Sequence, residues 1–174
     1  DMLDEGAGPR DALQVSETIG SLGATLSLST GADASTAEVL SLRDKFDTTF
    51  EVLCDVVARP HLSEADFRRT KKIWKNALKK RSDDPGAVAS VVTSAILYGS
   101  KTPYGHPALG LYSKADKVTL PGITAAYKRA YRPDRASLVV VGQIKKRELL
   151  TLLEKHLASW KADKEPLPPA SPSG

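Results

Sequence analysis

The chain has 174 residues, of which 41% are hydrophobic and 26% charged, enough for one globular domain with a buried core. It holds no run of eighteen apolar residues, and no basic start followed by a hydrophobic stretch and a cleavage site, so neither a membrane span nor a signal peptide is visible in it. The single cysteine, Cys54, excludes an internal disulfide framework and a cysteine-based zinc site, and the formal net charge of +4 makes nucleic acid the first partner to test.

The opening stretch, DMLDEGAGPR, reads as the interior of a helix in an N-terminally truncated domain. Pro9 and Asp11 then introduce a helix with Leu13, Val15, Ile19 and Leu22 apolar, stopped by Gly23. From Ala24 the period changes. Leu26 and Leu28 alternate with Ser27 and Ser29, residues 31–35 are turn chemistry, and Val39, Leu40 and Leu42 continue beyond it, which predicts a two-stranded hairpin. Asp44 is placed to cap a helix carrying Phe46, Phe50, Leu53, Val56 and Val57 and ending before Pro60. Cys54 falls within that apolar repeat and reads as a small buried residue.

Ser63, with Asp66 three residues on, marks the start of a basic helix that stops near the DDPG stretch at residues 83–86. Arg68, Lys72, Lys75 and Lys79 share one exposed face of it, while Phe67, Ile73, Trp74, Ala77 and Leu78 are expected nearer the core. That face is either solvated or a patch for acidic partners; no glycine-aromatic or groove-reading motif accompanies it, so nucleic acid is not expected. Val88, Val91, Val92, Ile96 and Leu97 predict a further helix ended by Gly99, followed by an ordered loop, KTPYGHPALG. Thr119 caps a helix with Pro121 in its first turn and Tyr127 and Tyr131 further on. Residues 137–141, SLVVV, form a β-branched run typical of a buried strand. Leu149, Leu152, Leu153, Leu157 and Trp160 belong to a last helix. After it, residues 162–174 are a Pro-rich linker or tail unable to pack a core. The sum is an α+β domain over residues 1–161, an antiparallel or mixed sheet packed against several helices.

Six stretches, DMLDEGAGPR, IGSLGATLSLSTGAD, VVARPHLSEADFRRTKK, LKKRSDDP, YGSKTPYGHPALG and YKRAYRPDRASLVVVG, stand in the order and spacing of the insulinase and pitrilysin zinc peptidases, a family that includes the mitochondrial processing peptidases. The chain resembles that family over nearly all of residues 1–161. The resemblance implies domains that pair to enclose a chamber, only some of them holding zinc. In active members an H-x-x-E-H motif supplies two histidine ligands and the glutamate that activates water. Alignment on the Met-Leu pair puts the second histidine on Asp1. The third ligand, a glutamate upstream of the DDP stretch, falls on Ala77, or on Asn76 with a register shift of one. A catalytic zinc needs three protein ligands and an open position for water, so this chain is expected to hold no metal and no catalytic residue of its own, the zinc residing in an active partner domain or subunit.

Active relatives bind an extended peptide along the edge of the sheet. The corresponding strand is ATLSLST, which makes Ser27 and Leu28 candidates for substrate contact; the alternative is a plain sheet strand. Tyr104 and His106 in the YGSKTPYGHPALG loop are further candidates, with a purely loop-shaping role for His106 as the alternative. His61 reads as a boundary residue and His156 as solvent-facing. The loop glycines match no phosphate-cradling spacing. The expected function is therefore that of a non-catalytic wall of a peptidase chamber, with an active domain of the same family and a peptide as partners; bacterial members make the periplasm the expected compartment. A structural or assembly protein that keeps the fold without proteolysis, and an active zinc endopeptidase, are the alternatives. An open sheet edge also gives a route to self-association.

Overall fold

The computed structural model describes residues 2–162. All of the expected tail but its first residue, that is residues 163–174, and Asp1 lie outside the described residues. Residues 2–5 are not helical, residues 3–5 being bends, and lead into a short ribbon of β1 (Gly6–Ala7) paired antiparallel with β2 (Arg10–Asp11). Gly8 turns between them at φ +57, where a Cβ would stand 2.5 Å from the Asp55 carboxylate; only glycine meets both demands. The ribbon is stitched to the end of a later helix. Gly8 N donates to Arg59 O at 3.0 Å, His61 N donates to Gly6 O at 2.8 Å, and Ala7 bridges Pro60. No period in the sequence announces so short a ribbon.

Helix α1 (Ala12–Ser21) starts at Asp11, whose carboxylate accepts from Gln14 N at 2.8 Å while Gln14 Oε1 accepts from Asp11 N at 2.9 Å, a reciprocal capping box that satisfies two otherwise open amides. The hairpin follows as expected. Strand β3 (Thr25–Thr30) pairs antiparallel with β4 (Ser35–Leu40), Leu26 facing Val39 and Leu28 facing Ala37. These four apolar side chains pack against the buried clusters, and the alternate positions, Ser27 and Glu38 among them, are exposed. Leu42 falls beyond the strand. Asp44 is no helix cap either: it lies inside a 3-10 turn, Arg43–Lys45, that runs directly into α2 (Phe46–Ala58) without a side-chain cap.

Helix α2 is the centre of the molecule. One side joins Val52 and Val56 to Val15 and Ile19 of α1 and to Ala7; the other joins Phe50, Leu53 and Cys54 to Leu152 of the last helix, α6 (Lys146–Leu157). Burial of this kind contributes roughly 1.5–3 kcal/mol per large apolar side chain. Cys54 is buried, and loss of solvation pushes its thiol up to about 12. A thiol so protonated is a poor nucleophile. Ellman's reagent should therefore label native Cys54 at least tenfold more slowly than the urea-unfolded chain.

Helix α3 (Glu64–Ser82) is capped by Ser63, whose Oγ accepts from Asp66 N at 3.2 Å. Its inward face differs from the expectation. Phe67 and Leu78 are buried, but Ile73 is 57% exposed and Ala77 is exposed. The helix rests partly on the aliphatic stems of its own cations, with Lys71 Nζ reaching Val118 O at 2.6 Å and Arg81 Nη2 reaching Gly110 O at 2.5 Å; such stems cover apolar surface while their heads find oxygen. Helix α4 (Pro85–Tyr98) is capped by Asp84 and ends at Gly99, φ +80. It has no charged residue, yet none of its residues is buried and Ile96 is 76% exposed. Helix α5 (Leu120–Ala130) begins at Thr119 with Pro121 in its first turn; Tyr131 lies just past its end, stacked on Tyr127 with ring centroids 5.2 Å apart.

Two corrections concern the C-terminal part. Residues 137–141 form no strand and pair with none among the described residues, and Val139 and Val141 are 83% and 93% exposed, not buried. Trp160 lies beyond the end of α6. The architecture is α+β, with helices packed on one face of the hairpin and two small antiparallel sheets among the described residues. None of the described helices is long and apolar enough to cross a membrane.

Candidate functional site

The position expected to carry the third zinc ligand is Ala77, on the exposed side of α3. A methyl group offers no lone pair, and the neighbouring Asn76 is likewise exposed and is a neutral amide. The described residues contain no group of three His, Cys, Asp or Glu side chains able to surround a cation. Nearby acidic groups are already engaged: Glu5 takes Arg69 as an ion pair and Thr70 Oγ1 at 3.3 Å, and Asp116 takes Lys75 Nζ at 2.7 Å. The donor set does not fit zinc, which takes four ligands in tetrahedral geometry. Asp1 lies outside the described residues.

The four candidates for peptide contact fall along the hairpin and its flank. Ser27 is exposed on the outward face of β3, whereas Leu28 points inward, half-buried against the cluster of α1 and α2. Among the described residues β3 pairs only with β4, so its outer edge presents backbone groups to an incoming strand. Tyr104 sits in a 3-10 turn, Pro103–Gly105, and its hydroxyl donates to Asp33 Oδ1 at 2.5 Å, tying the loop to the hairpin tip. That hydrogen bond to a carboxylate holds the phenol above its ordinary value. Gly105 is required here: a Cβ would lie 2.0 Å from Gly99 O. His106, next in the loop, is exposed. The structure thus brings Tyr104 to the tip of the hairpin, while Ser27 and Leu28 lie midway along it.

Three features escaped the sequence. Asp55, 2% exposed, receives Arg10 Nη1 and Arg59 Nε, each at 2.8 Å, with Arg10 Nη2 also donating to Glu51 at 2.8 Å. Nothing in the spacing of residues 10 and 55 announces that contact. Tyr127 donates to Val57 O at 2.8 Å, and burial pushes its phenol up to about 12. His156 is not solvent-facing. It is 6% exposed, edge-on to Phe50 with ring centroids 6.3 Å apart, and its Nε2 lies 3.1 Å from Asp47 Oδ1. His61 Nε2 lies 2.8 Å from Gly8 O, beside the β1–β2 ribbon.

The hydrogen bond from His156 is the main cause that holds the Asp47 carboxyl below its ordinary 3.8, with Lys155 adding to it. Asp116, bonded to Lys75, and Asp134, bonded to Arg132, are shifted the same way. A carboxyl depressed in the folded state stabilises fully above its unfolded pKa, and that contribution is lost as pH falls through the folded value. Urea midpoints should therefore fall between about pH 5 and pH 3, and Asp47→Asn should make that fall shallower.

A comparison with known proteins places this arrangement. Residues 117–174 match the family model described as the peptidase M16 inactive domain. An uncharacterized zinc protease of Mycobacterium leprae, ML0855, is 22% identical over 158 residues, covering 91% of this chain and 35% of the relative. Among solved structures, the peptidase M16 inactive domain from Pseudomonas fluorescens superposes with a TM-score of 0.84 at 23% identity over 96% of this chain and 40% of that one. The periplasmic protease PqqL from Escherichia coli gives 0.83 at 18% identity over 99% of this chain and 20% of that one. The fold is that of the M16 peptidases. The chain is homologous to a zinc protease of that type, and its last third carries the signature of the inactive domain. It spans 35% of the ML0855 chain and 40% of the Pseudomonas one.

Proposed function

We propose that this chain is a non-catalytic M16 domain that pairs with a zinc-bearing domain of the same family and forms one wall of a peptide-binding chamber, in a bacterial periplasm. The observation that carries the reading is Ala77: the helix that would present a carboxylate to the metal is intact, yet at that position it presents a methyl group to solvent. The match of residues 117–174 to the inactive-domain family model supports it. So does α4, since a helix free of charge along fourteen residues and nowhere buried has the composition of one covered by another surface. The PqqL likeness supports the compartment. A second wall favours peptide capture by adding contacts that offset the ordering of a flexible chain, and the free edge of β3, with Ser27 outward, offers backbone hydrogen bonds that tolerate many side chains.

The test is reconstitution. The purified protein, mixed with an M16 chain from the same organism that retains H-x-x-E-H, should raise hydrolysis of an extended fluorogenic peptide at least tenfold over that chain alone. Equal rates with and without it would count against the chamber, and so would a failure of the two chains to co-elute.

A further inference from the structure

Helix α3 carries eight cations and no carboxylate between Phe67 and Ser82. Half of them are engaged within the fold: Arg69 pairs with Glu5, Lys71 and Arg81 reach backbone carbonyls, and Lys75 holds Asp116 at 2.7 Å. Among the described residues nothing engages the exposed side chains of Lys72 and Lys79, and Arg68 has only Glu64, an i,i+4 pair at 3.1 Å between two exposed groups. Arg68, Lys72, Lys75 and Lys79 line one groove of about 490 Å³, whose far side is Tyr112 and Asp116 of a 3-10 segment, Tyr112–Lys117. Asp116 is the one carboxylate in that lining, and Lys75 already occupies it. At about 100° per residue the four cations lie about 140–180° around α3 from Ala77, so the groove is separate from the degenerate ligand position.

We infer that this groove binds an extended segment of another polypeptide that carries Asp or Glu at alternate positions. Charge asks for an acidic occupant. Cations three and four residues apart on one helix face repel one another, and a row of carboxylates laid beside them relieves that repulsion. Spacing asks for an extended chain. From Arg68 to Lys79 the four cations advance by about 6, 4.5 and 6 Å along the axis, about 16 Å in all. Alternate side chains of a strand stand about 6.6 Å apart, so three carboxylates of a five-residue segment meet Arg68, the Lys72 and Lys75 pair, and Lys79 within the reach of their flexible stems.

Other occupants fit less well. A single-stranded nucleic acid stacks its bases on aromatic rings, and the one exposed ring in the lining, Tyr112, already has Lys75 Nζ over it at 5.9 Å. An anionic bilayer takes a basic face bordered by apolar side chains that enter it, whereas Arg68, Lys72, Lys75, Asn76 and Lys79 are all polar. A second copy brings a net charge of the same sign, +4, and the chain's own last residues set Lys161 and Lys164 against Asp163 and Glu165. The inference is independent of the proposed chamber and of whether the domain is catalytic.

Fluorescence anisotropy on the protein as encoded, with all its flanking sequence, tests this with a labelled peptide of five Ser-Glu repeats and its counterpart with every Glu replaced by Gln. In about 50 mM salt the acidic peptide should bind at least tenfold more tightly than the glutamine one, and about fivefold less tightly once salt is raised to about 300 mM. Lys72→Glu with Lys79→Glu should weaken it at least tenfold, and the milder Lys72→Gln with Lys79→Gln about threefold, the fold of each variant being checked by far-UV circular dichroism. Lys146→Glu with Arg147→Glu, which changes the net charge equally at exposed positions of α6, should alter binding less than about twofold. An equal loss in the α6 pair would reduce the effect to overall charge and overturn the inference. So would equal binding of the two peptides, or tighter binding of decauridine or of phosphatidylglycerol vesicles than of the acidic peptide.

Discussion

Asp55→Ala should lower the free energy of unfolding by about 3 kcal/mol, read from urea midpoints at constant slope. Removing one partner of a buried ion pair costs about 3–5 kcal/mol, because the remaining charge is left without its counter-ion in a poorly solvated site. The lower end applies here. Asp55 itself is 2% exposed, but the Arg59 side chain keeps 37% exposure and Arg10 retains Glu51, so both guanidinium groups find other oxygen. Asp55→Asn keeps the shape and still accepts hydrogen bonds, and should cost less than the alanine variant. The effect also reaches the β1–β2 ribbon, since Gly8 lies against this carboxylate and Arg10 is itself a residue of β2. A destabilisation below about 0.5 kcal/mol would place Asp55 among surface groups and contradict its central position.

Phe50→Ala should be at least as severe, about 3–5 kcal/mol, the range for deleting a buried aromatic ring. Phe50 is 2% exposed, stacks on Phe46 at 5.3 Å and meets the edge of His156. Its removal leaves a void between α2 and α6 that helices joined to a hairpin close only in part. The pocket beside β4 would also deepen, because Phe50 is one of its apolar members. Phe50→Leu keeps most of the volume and should recover at least half of the loss. An alanine variant as stable as the parent would mean that α6 does not rest on α2 in solution.

Much of this fold could be read from local signals, and the failures have a common cause. Asp11, Ser63 and Thr119 each cap a helix through their own side chains, because a cap is decided within three or four residues; Asp84 caps α4 in the same way and was not read in advance. The alternation of Leu26 and Leu28 with serines gave the hairpin for the same reason, while its register comes from the structure. Residues 137–141 read as a buried strand because they have the composition of one; whether such a run is covered depends on a neighbour that local pattern does not contain. Ile73 and Ala77 were expected inward on α3, but that helix settles through Lys71 and Arg81, whose carbonyl partners are 47 and 29 residues away in sequence. The pattern around His156 reads as solvent-facing, and its burial follows from Phe50 and Asp47 on α2, more than a hundred residues earlier.

The helix that carries Ala77 was legible in the sequence; the contacts around the candidate residues were not. Resemblance of ordered motifs led to Ala77, and the structure places that residue on the expected helix, exposed. The geometry that joins the loop to the hairpin tip, Tyr104 to Asp33, spans 71 residues and had no trace in composition or period.

We propose that this domain holds no catalytic zinc of its own, and metal analysis of the purified protein is the test. Dialysed protein should contain well below one zinc per chain by plasma mass spectrometry, and its own hydrolysis of a fluorogenic peptide should be absent and indifferent to chelator. One zinc per chain, removed by chelator together with peptide cleavage and restored by adding the metal back, would mean that this domain carries its own catalytic metal.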